Sequence, residues 1–450
     1  LQPRDILLQK LCHANTPEHK KGKLHNLSHM GINLPIMKQS TTNIRNITAV
    51  IIAAVIIAAF VSNFVRTGAG KGDFTALYEN SSHAIQTGIL SDPESLGYYP
   101  PSGRPILMTL AIFPLRLAAA LWFIMAVFIE GISLYLLVTH LLPNKPKDPW
   151  LIAALSALAV IPWLSADLSG GNISALILGS VVISYYFYRK NRPWLSGLIL
   201  GLGIAVKFLP IFLIFFYAIK RQWKMTIIAC IMTLAVAIIP GSIVFGPRDF
   251  AHSWKVWSDS AFSIRTAKFM ILEGQLSYVN QSWANVLLHT FHPVNTGHRD
   301  KPFYVNITNI PRQDILKIWY ALMAISAFLW VFLIWPRKGD TTEMLALHFP
   351  MVCIPMLWFS PHVMSYYMTI LLPAIVFLFW ALDNRDETWL RSLAKPLFIL
   401  LGLYILGDLS VISRYARAYG SYQITIFTLA IAVSIVACKY RQNLSTNPLK

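Results

Sequence analysis

The sequence predicts an all-α polytopic membrane protein, and three observations predict it: few charges, apolar runs of membrane-crossing length along most of the chain, and basic residues gathered on one side of those runs. Of 450 residues, 55% are hydrophobic and 13% are charged, about half the charged share of an average soluble domain. Runs approaching the roughly 20 apolar residues that cross a hydrocarbon core recur from 47–65 to 422–438. Lipid offers no partner to a backbone N–H or C=O, so such runs must be helices packed on one another.

The expected spans are 47–65, 119–141, 150–166, 172–188, a hairpin at 195–219, then 225–246, 315–335, 344–359, 366–382, 396–413 and 421–438. Residues 1–46 are basic and polar without helical periodicity, and they read as a disordered cytoplasmic tail. The chain opens with Leu1, and Met30 and Met37 are candidate starts. The unit 47–440 is then one transmembrane domain, with 441–450 a second cytoplasmic tail.

Sidedness follows from the short loops, where the positive-inside rule is strongest. Lys145 and Lys147; Arg189, Lys190 and Arg192; Lys220, Arg221 and Lys224; Arg337 and Lys338; and Arg385, Arg391 and Lys395 share one side if the N-terminus is cytoplasmic. The opposite loops 165–171 and 360–364 hold no Lys or Arg, and only Arg414 and Arg417 break the pattern. This count requires 195–219 to enter and leave on the cytoplasmic side. About 25 residues are too few for two full crossings, and the centre, Gly201-Leu-Gly203-Ile-Ala-Val-Lys207-Phe-Leu-Pro210, predicts two broken half-helices.

Two extracytoplasmic segments remain, 66–104 and the aromatic and polar 247–314, with an amphipathic stretch at 105–118. Binding and catalysis concentrate on such loops. The net charge of +18 is dispersed at helix ends rather than gathered in a stripe, which argues against a nucleic-acid partner. Cys12, Cys230, Cys353 and Cys438 show neither metal spacing nor a pair in an exposed loop. No Gly-rich phosphate loop and no internal repeat is present, so the sequence gives no support to an ATP-driven machine.

Asp73, in Lys71-Gly-Asp73-Phe-Thr-Ala-Leu-Tyr78, is the sharpest candidate for chemistry. It reads either as an interfacial carboxylate with a tuned pKa or as a helix N-cap. Arg104, at the end of Tyr98-Tyr99-Pro100-Pro101-Ser-Gly-Arg104, suits a lipid phosphate or simply snorkels. Lys207 sits at the hairpin apex, where an intramembrane charge faces a cavity or anionic headgroup unless it too snorkels. Asn280-Gln281-Ser282-Trp283 and Ser360-Pro361-His362 face outward, His362 as a titratable group or a hydrogen-bonding residue. Gly170-Gly171-Asn172 opens a span as a site element or a plain turn and cap.

Taken in order, these elements resemble glycosyltransferase family 87: Asp73 and Tyr78; Tyr99, Pro100 and Pro101; Gly170 and Asn172; Gly197 to Pro210 with Lys207; Asn280 to Ser282; and Ser360-Pro361. The resemblance covers roughly 47–440. It implies a GT-C-like bundle of about 10–12 transmembrane helices and polyprenyl-phosphate-mannose as donor. It further implies Asp73 as general base, with the Lys207 segment holding the donor. Three departures accompany it. Gly170-Gly171-Asn172 replaces a Gly-Gln-x-Asn, His289 or a neighbour stands for an Arg after Asn-Gln-Ser, and Ser365-Tyr366-Tyr367 falls where many members carry a His.

Such a reaction needs a base for the acceptor hydroxyl and cations for the departing phosphate. The sequence reading is therefore an inverting hexosyltransferase, with mannose as the sugar, at the extracytoplasmic face of the plasma (bacterial inner) membrane. Asp73 is the base and Lys207 and Arg104 the phosphate ligands; Tyr78, Tyr99, Asn172, Asn280, Gln281 and His362 are substrate-site candidates. The expected partners are membrane lipid, the lipid-linked donor and a glycolipid or glycan acceptor. No metal and no cofactor is expected, the lipid-linked sugar being a substrate. The alternative from another class is a flippase or transporter of lipid-linked sugars.

Overall fold

A computed structural model describes residues 35–88, 90, 99–261, 263–274, 277–297, 301–336, 342–383, 402 and 413–446. Among them the chain is a bundle of helices joined by turns and short irregular segments. Seven helical stretches are long and apolar enough to cross a membrane: Asn46–Gly68, Leu115–Leu141, Pro149–Gly170, Trp223–Phe245, Arg312–Ile334, Ser365–Asp383 and Ser421–Arg441. The protein is thus an all-α multi-pass integral membrane protein.

Each of these stretches lies on an expected span. The remaining expectations resolve differently. The first helix, α1, runs from Pro35 to Gly68 and so begins well before residue 47. The span expected at 172–188 is the 16-residue helix Ser174–Arg189. That at 344–359 is the apolar stretch Leu345–Trp358, in which a 3-10 turn, Phe349–Val352, precedes Cys353–Trp358. The stretch 105–118 divides between a short helix, Arg104–Ala111, and the start of Leu115–Leu136. Most of 396–413 lies outside the described residues.

The hairpin is present as two short helices, α2 (Pro193–Val206) and α3 (Ile211–Ile219). Proline occupies the first position of α2, where its missing N–H costs nothing. Extended backbone at Lys207 breaks the segment and Pro210 precedes the second half. Both ends pack on the preceding helix: Ser196, near the start of α2, hydrogen-bonds to Ser184, and the ring of Tyr217, near the end of α3, lies 4.9 Å from that of Tyr188. Helix α2 lies directly on α4 (Trp223–Phe245). Gly197 and Gly201, four residues apart and hence on one helical face, make this possible. A Cβ on Gly201 would stand 3.0 Å from the backbone of Met232 and Thr233. Small residues at such spacing let membrane helices approach backbone to backbone.

Two buried carboxyl groups serve the helix before the hairpin. Asp167, near the end of Pro149–Gly170, is buried close to the start of Ser174–Arg189 and to the carboxyl of Glu130. An anionic group at a helix N-terminus is favourable, and Glu130 can share a proton with it where water is absent.

The most enclosed crossing is Ser365–Asp383, of whose most apolar window 78% is buried. It begins as a 3-10 turn, Ser365–Leu371, before the α-helix Leu372–Asp383. The site is built around that turn. For the packing of α2 on α4, Gly201→Val overpacks a backbone contact, a change that costs about 1–3 kcal/mol. We expect its apparent melting temperature in detergent to fall by several degrees, whereas Gly131→Val, at a position with nothing within 4 Å, leaves it unchanged.

Candidate active site

Four segments distant in sequence meet at the hairpin apex. The first is the start of α5 (Asp73–Thr87). Its N-cap is Gly72, at φ 106° and ψ 160°, a conformation open essentially only to glycine. Asp73 is therefore the first helical residue and not the cap. The segment is seated on the 170–172 turn: Gly171, at φ +66°, leaves no room for a Cβ against Phe74, and Asn63 of α1 donates to the Leu168 carbonyl at 3.3 Å.

The second segment is the Pro-Pro loop. Ser102 Oγ donates to the Ala205 carbonyl at 2.7 Å, and Gly103 lies against Val206. This binds the loop to the last turn of α2 and sets Tyr99 beside Lys207, with the buried Arg104 close to Tyr99. The third is the apex, where the Lys207 Nζ donates to the Tyr367 hydroxyl and sits 4.0 Å from the Tyr367 ring centroid and 5.4 Å from that of Tyr99. The fourth is 360–367, which brings His362, Tyr366 and Tyr367.

Lys207 and Tyr367 are buried, whereas Asp73, Tyr99, His362 and Tyr366 are partly exposed above them. Burial raises the Asp73 carboxyl above the ordinary carboxylate range. The charges of Arg66 and Lys207 and a hydrogen bond from Tyr366 pull it back without reversing that direction. Burial likewise raises the Tyr99 hydroxyl, as does the Asp73 charge. Burial pushes Arg104 down to about 10, opposed by Tyr99, so it remains a cation at neutral pH. His362 is pushed down to about 3 by burial first and the Lys207 charge second, so it is a neutral imidazole there.

The structure thus brings together Asp73, Tyr99, Arg104, Lys207 and His362 of the residues selected from sequence. The others stand around them. Asn280 donates to the Pro361 carbonyl at 3.1 Å, lies 3.4 Å from His362 Nδ1, and accepts from the Ser282 and Val363 amides. Gln281 accepts from Ser421 Oγ and the Tyr422 amide, while its own amide donates to the Val363 carbonyl at 2.8 Å. These two side chains fasten the wall that carries His362 and the tyrosines. The carbonyl of Asn172 accepts from the Trp122 indole at 3.2 Å, and Tyr78 turns its hydroxyl to the Phe113 carbonyl at 2.8 Å.

Three participants were not selected from sequence: Arg66, Tyr366 and Tyr367. The tyrosines left a trace there, as the departure from the expected histidine. Arg66 left none, being one of many basic residues at helix ends. Among the described residues no group of three or more His, Cys, Asp or Glu side chains is gathered to hold a metal ion.

The arrangement gathers a half-buried carboxylate, a buried lysine and arginine, tyrosine hydroxyls and a neutral imidazole at the hairpin apex. The model for glycosyltransferase family 87 matches residues 98–361, which includes Tyr99, Arg104, Lys207, Asn280 and Gln281 but neither Asp73 nor Tyr366. One curated relative is the polyprenol-phosphate-mannose-dependent alpha-(1-2)-phosphatidylinositol mannoside mannosyltransferase of Mycobacterium tuberculosis. It is 30% identical over 119 residues, a stretch covering 26% of this chain and 26% of that protein. No solved structure matches. With the family model spanning more than half of the 450 residues, the chain belongs to glycosyltransferase family 87.

Proposed function

We propose that this protein transfers a hexosyl residue, mannose by the relative's name, from a polyprenyl-phosphate donor to an acceptor hydroxyl, with inversion. The convergence of Asp73, Lys207 and Arg104 on Tyr99 at the hairpin apex carries this reading. In the single displacement Asp73 takes the acceptor proton and the acceptor oxygen bonds to the anomeric carbon. The bond from that carbon to the phosphate oxygen breaks with its electron pair on the phosphate. Lys207 and Arg104 offset the charge that develops there. Attack opposite the leaving group inverts the anomeric centre, as in single-step glycosidases.

The donor enters as substrate and the scheme uses no cofactor. The acceptor is a glycolipid or glycan. The unit 47–440 acts as one GT-C-like domain in a plasma membrane, the inner membrane in a bacterium, with the N-terminus cytoplasmic. The site then opens extracytoplasmically, a reading supported by the basic loops at the opposite helix ends.

Radiolabelled polyprenyl-phosphate sugars incubated with the purified protein and membrane lipids test the reaction class. Label should move from a mannosyl donor into a lipid or glycan product. Label that stays on the donor while the donor crosses bilayers identifies a transporter instead. Asp73→Ala and Asp73→Asn should each lower kcat by about 10²–10⁴, the usual worth of a general base, with donor binding retained; normal transfer by Asp73→Asn would exclude a base at this position.

The pH dependence has a defined sign. Only ionised Asp73 accepts a proton, and burial raises its pKa. The rate should therefore fall on the acid side with an apparent pKa above the ordinary carboxylate value of 3.8. A kcat/KM profile checks this, and the limb should vanish from the residual activity of Asp73→Asn.

A further inference from the structure

We propose that a groove at the end of the bundle opposite the site holds an acyl chain of an anionic glycerophospholipid, with the lipid phosphate at Lys145 and Lys147. This lipid is a resident ligand, distinct from donor and acceptor, and its binding depends on none of the groups assigned to the reaction.

The groove has a volume of about 480 Å³ and lies between α1, the helix Leu115–Leu136 and the helix Pro149–Gly170. Ligand pockets span roughly 300–1,000 Å³, with apolar walls and few polar groups. Here the apolar walls are Ala49 and Ile52 of α1, Leu134 of the second helix, and Ala153 and Ala157 of the third. The far ends of these helices fix its place. A Cβ on Gly72, just past α1, would stand 3.4 Å from the Gly170 carbonyl oxygen, so α1 and Pro149–Gly170 finish together at the site. The groove lies at their beginnings, and from Ala49 to Gly68 the helix rises roughly 30 Å. Nearer the site the same helices are drawn together: Ala59, Phe123, Ala126, Leu168 and Ala175 pack as one cluster, and Asn63 bonds the Leu168 carbonyl. Alanines at a membrane-helix interface ordinarily let backbones close. At the other end Ala49, Ala153 and Ala157 line a gap instead.

The occupant follows from the medium and from charge. All three helices belong to membrane-crossing stretches, so hydrocarbon is what fills an apolar groove between them, and an unfilled gap forfeits the dispersion contacts of its walls. Asn46 and Trp150 give the groove a polar end. Trp150 is exposed and follows the helix start at Pro149, the placement of an indole at headgroup level. Lys145 and Lys147, both exposed, lie in the turn that leads to it. Neither belongs to the ion pairs of the described residues. Two carboxylates beside them are engaged by backbone: Asp148 accepts from the Leu151 amide at 3.0 Å, and Asp383 from the Lys147 amide at 2.7 Å. Two ammonium groups at the mouth of an apolar groove fit a lipid with a negatively charged phosphate. A polyprenyl-phosphate sugar bound at the site would put its charge at the other end of the bundle. Only 17% of the most apolar window of α1 is buried within the protein, so a lipid wedged here adds contacts to the helix that leads to Asp73.

The test uses the full chain in an uncharged detergent. Bound phospholipid is read by native mass spectrometry, and the melting temperature is followed as phosphatidylglycerol or phosphatidylcholine is added. Phosphatidylglycerol should bind at about one per chain and raise the melting temperature by several degrees. Phosphatidylcholine should need a concentration about tenfold higher or more, each lysine near an anionic lipid being worth roughly fivefold. Ala49→Phe and Ala153→Phe fill the groove from opposite walls and should abolish both effects, while Ile57→Phe, at an exposed position of α1 outside the groove, leaves them intact. Lys145→Gln combined with Lys147→Gln should make the two lipids equivalent; on an exposed turn, this pair keeps the test decisive even where a phenylalanine variant melts early. Equal affinity of the wild type for both lipids, binding that survives both phenylalanine variants, or a preference that survives loss of the lysines overturns the proposal. Displacement of phosphatidylglycerol by equimolar polyprenyl phosphate assigns the groove to the donor's tail and overturns it as well.

Discussion

An ammonium group carried into a bundle of apolar helices has to be given partners, and most of the site follows from how Lys207 is given its own. A lone charge in hydrocarbon is costly enough to reorganise its surroundings. Here the surroundings are two tyrosines and a carboxylate. Tyr367 accepts its hydrogen bond and offers a ring face, Tyr99 offers a second ring, and Asp73 supplies opposite charge without contact. Each of these groups comes from a different part of the chain, so satisfying the lysine and assembling the site are the same event.

The same constraint accounts for the hairpin. A continuous helix through 193–219 would carry Lys207 past mid-membrane on one face, with no means of presenting it at an end. The break at Lys207 and Pro210 turns the segment back and makes the lysine its apex. Such a break frees backbone groups, which are tolerable only inside protein. Ser102 takes up the Ala205 carbonyl, Gly103 closes on Val206, and the glycines of α2 bring α4 within backbone contact on the other side. The Pro-Pro-Ser-Gly loop is thus part of the hairpin's packing as well as the bearer of Tyr99 and Arg104.

Much of this was legible in the sequence, for physical reasons that differ by residue. The hairpin was readable because 195–219 is too short for two crossings and its glycines, lysine and proline fall at the centre. Lys207 was readable because an intramembrane charge is rare. Asp73 was ambiguous, since Asp before Phe-Thr-Ala-Leu also makes a good N-cap. Only the dihedrals of Gly72 exclude that role. Asn280 and Gln281 were recognisable as a motif, but their work is long-range: they join 280–282 to 361–363 and to 421–423, contacts that a linear pattern does not encode. Tyr366 was hidden because tyrosines at helix starts are common at membrane boundaries, and only its electrostatic influence on Asp73 separates it from those.

In the proposed reaction the half-burial of Asp73 is what would suit it to act as a base. Fully exposed, the carboxylate would keep an ordinary pKa and accept a hydroxyl proton weakly. Buried without partners, it would be protonated at neutral pH and accept none. Catalytic groups perform best with a pKa lifted toward the working pH but not past it, and the opposing influences on Asp73 act in that sense. Desolvation is the largest and raises it; Arg66, Lys207 and Tyr366 each lower it. Two of those restraints are charges held at a distance and the third is the neighbouring Tyr366 hydroxyl. That combination steadies the ionised form while the carboxylate stays partly exposed, as the proposed proton transfer from an acceptor hydroxyl requires.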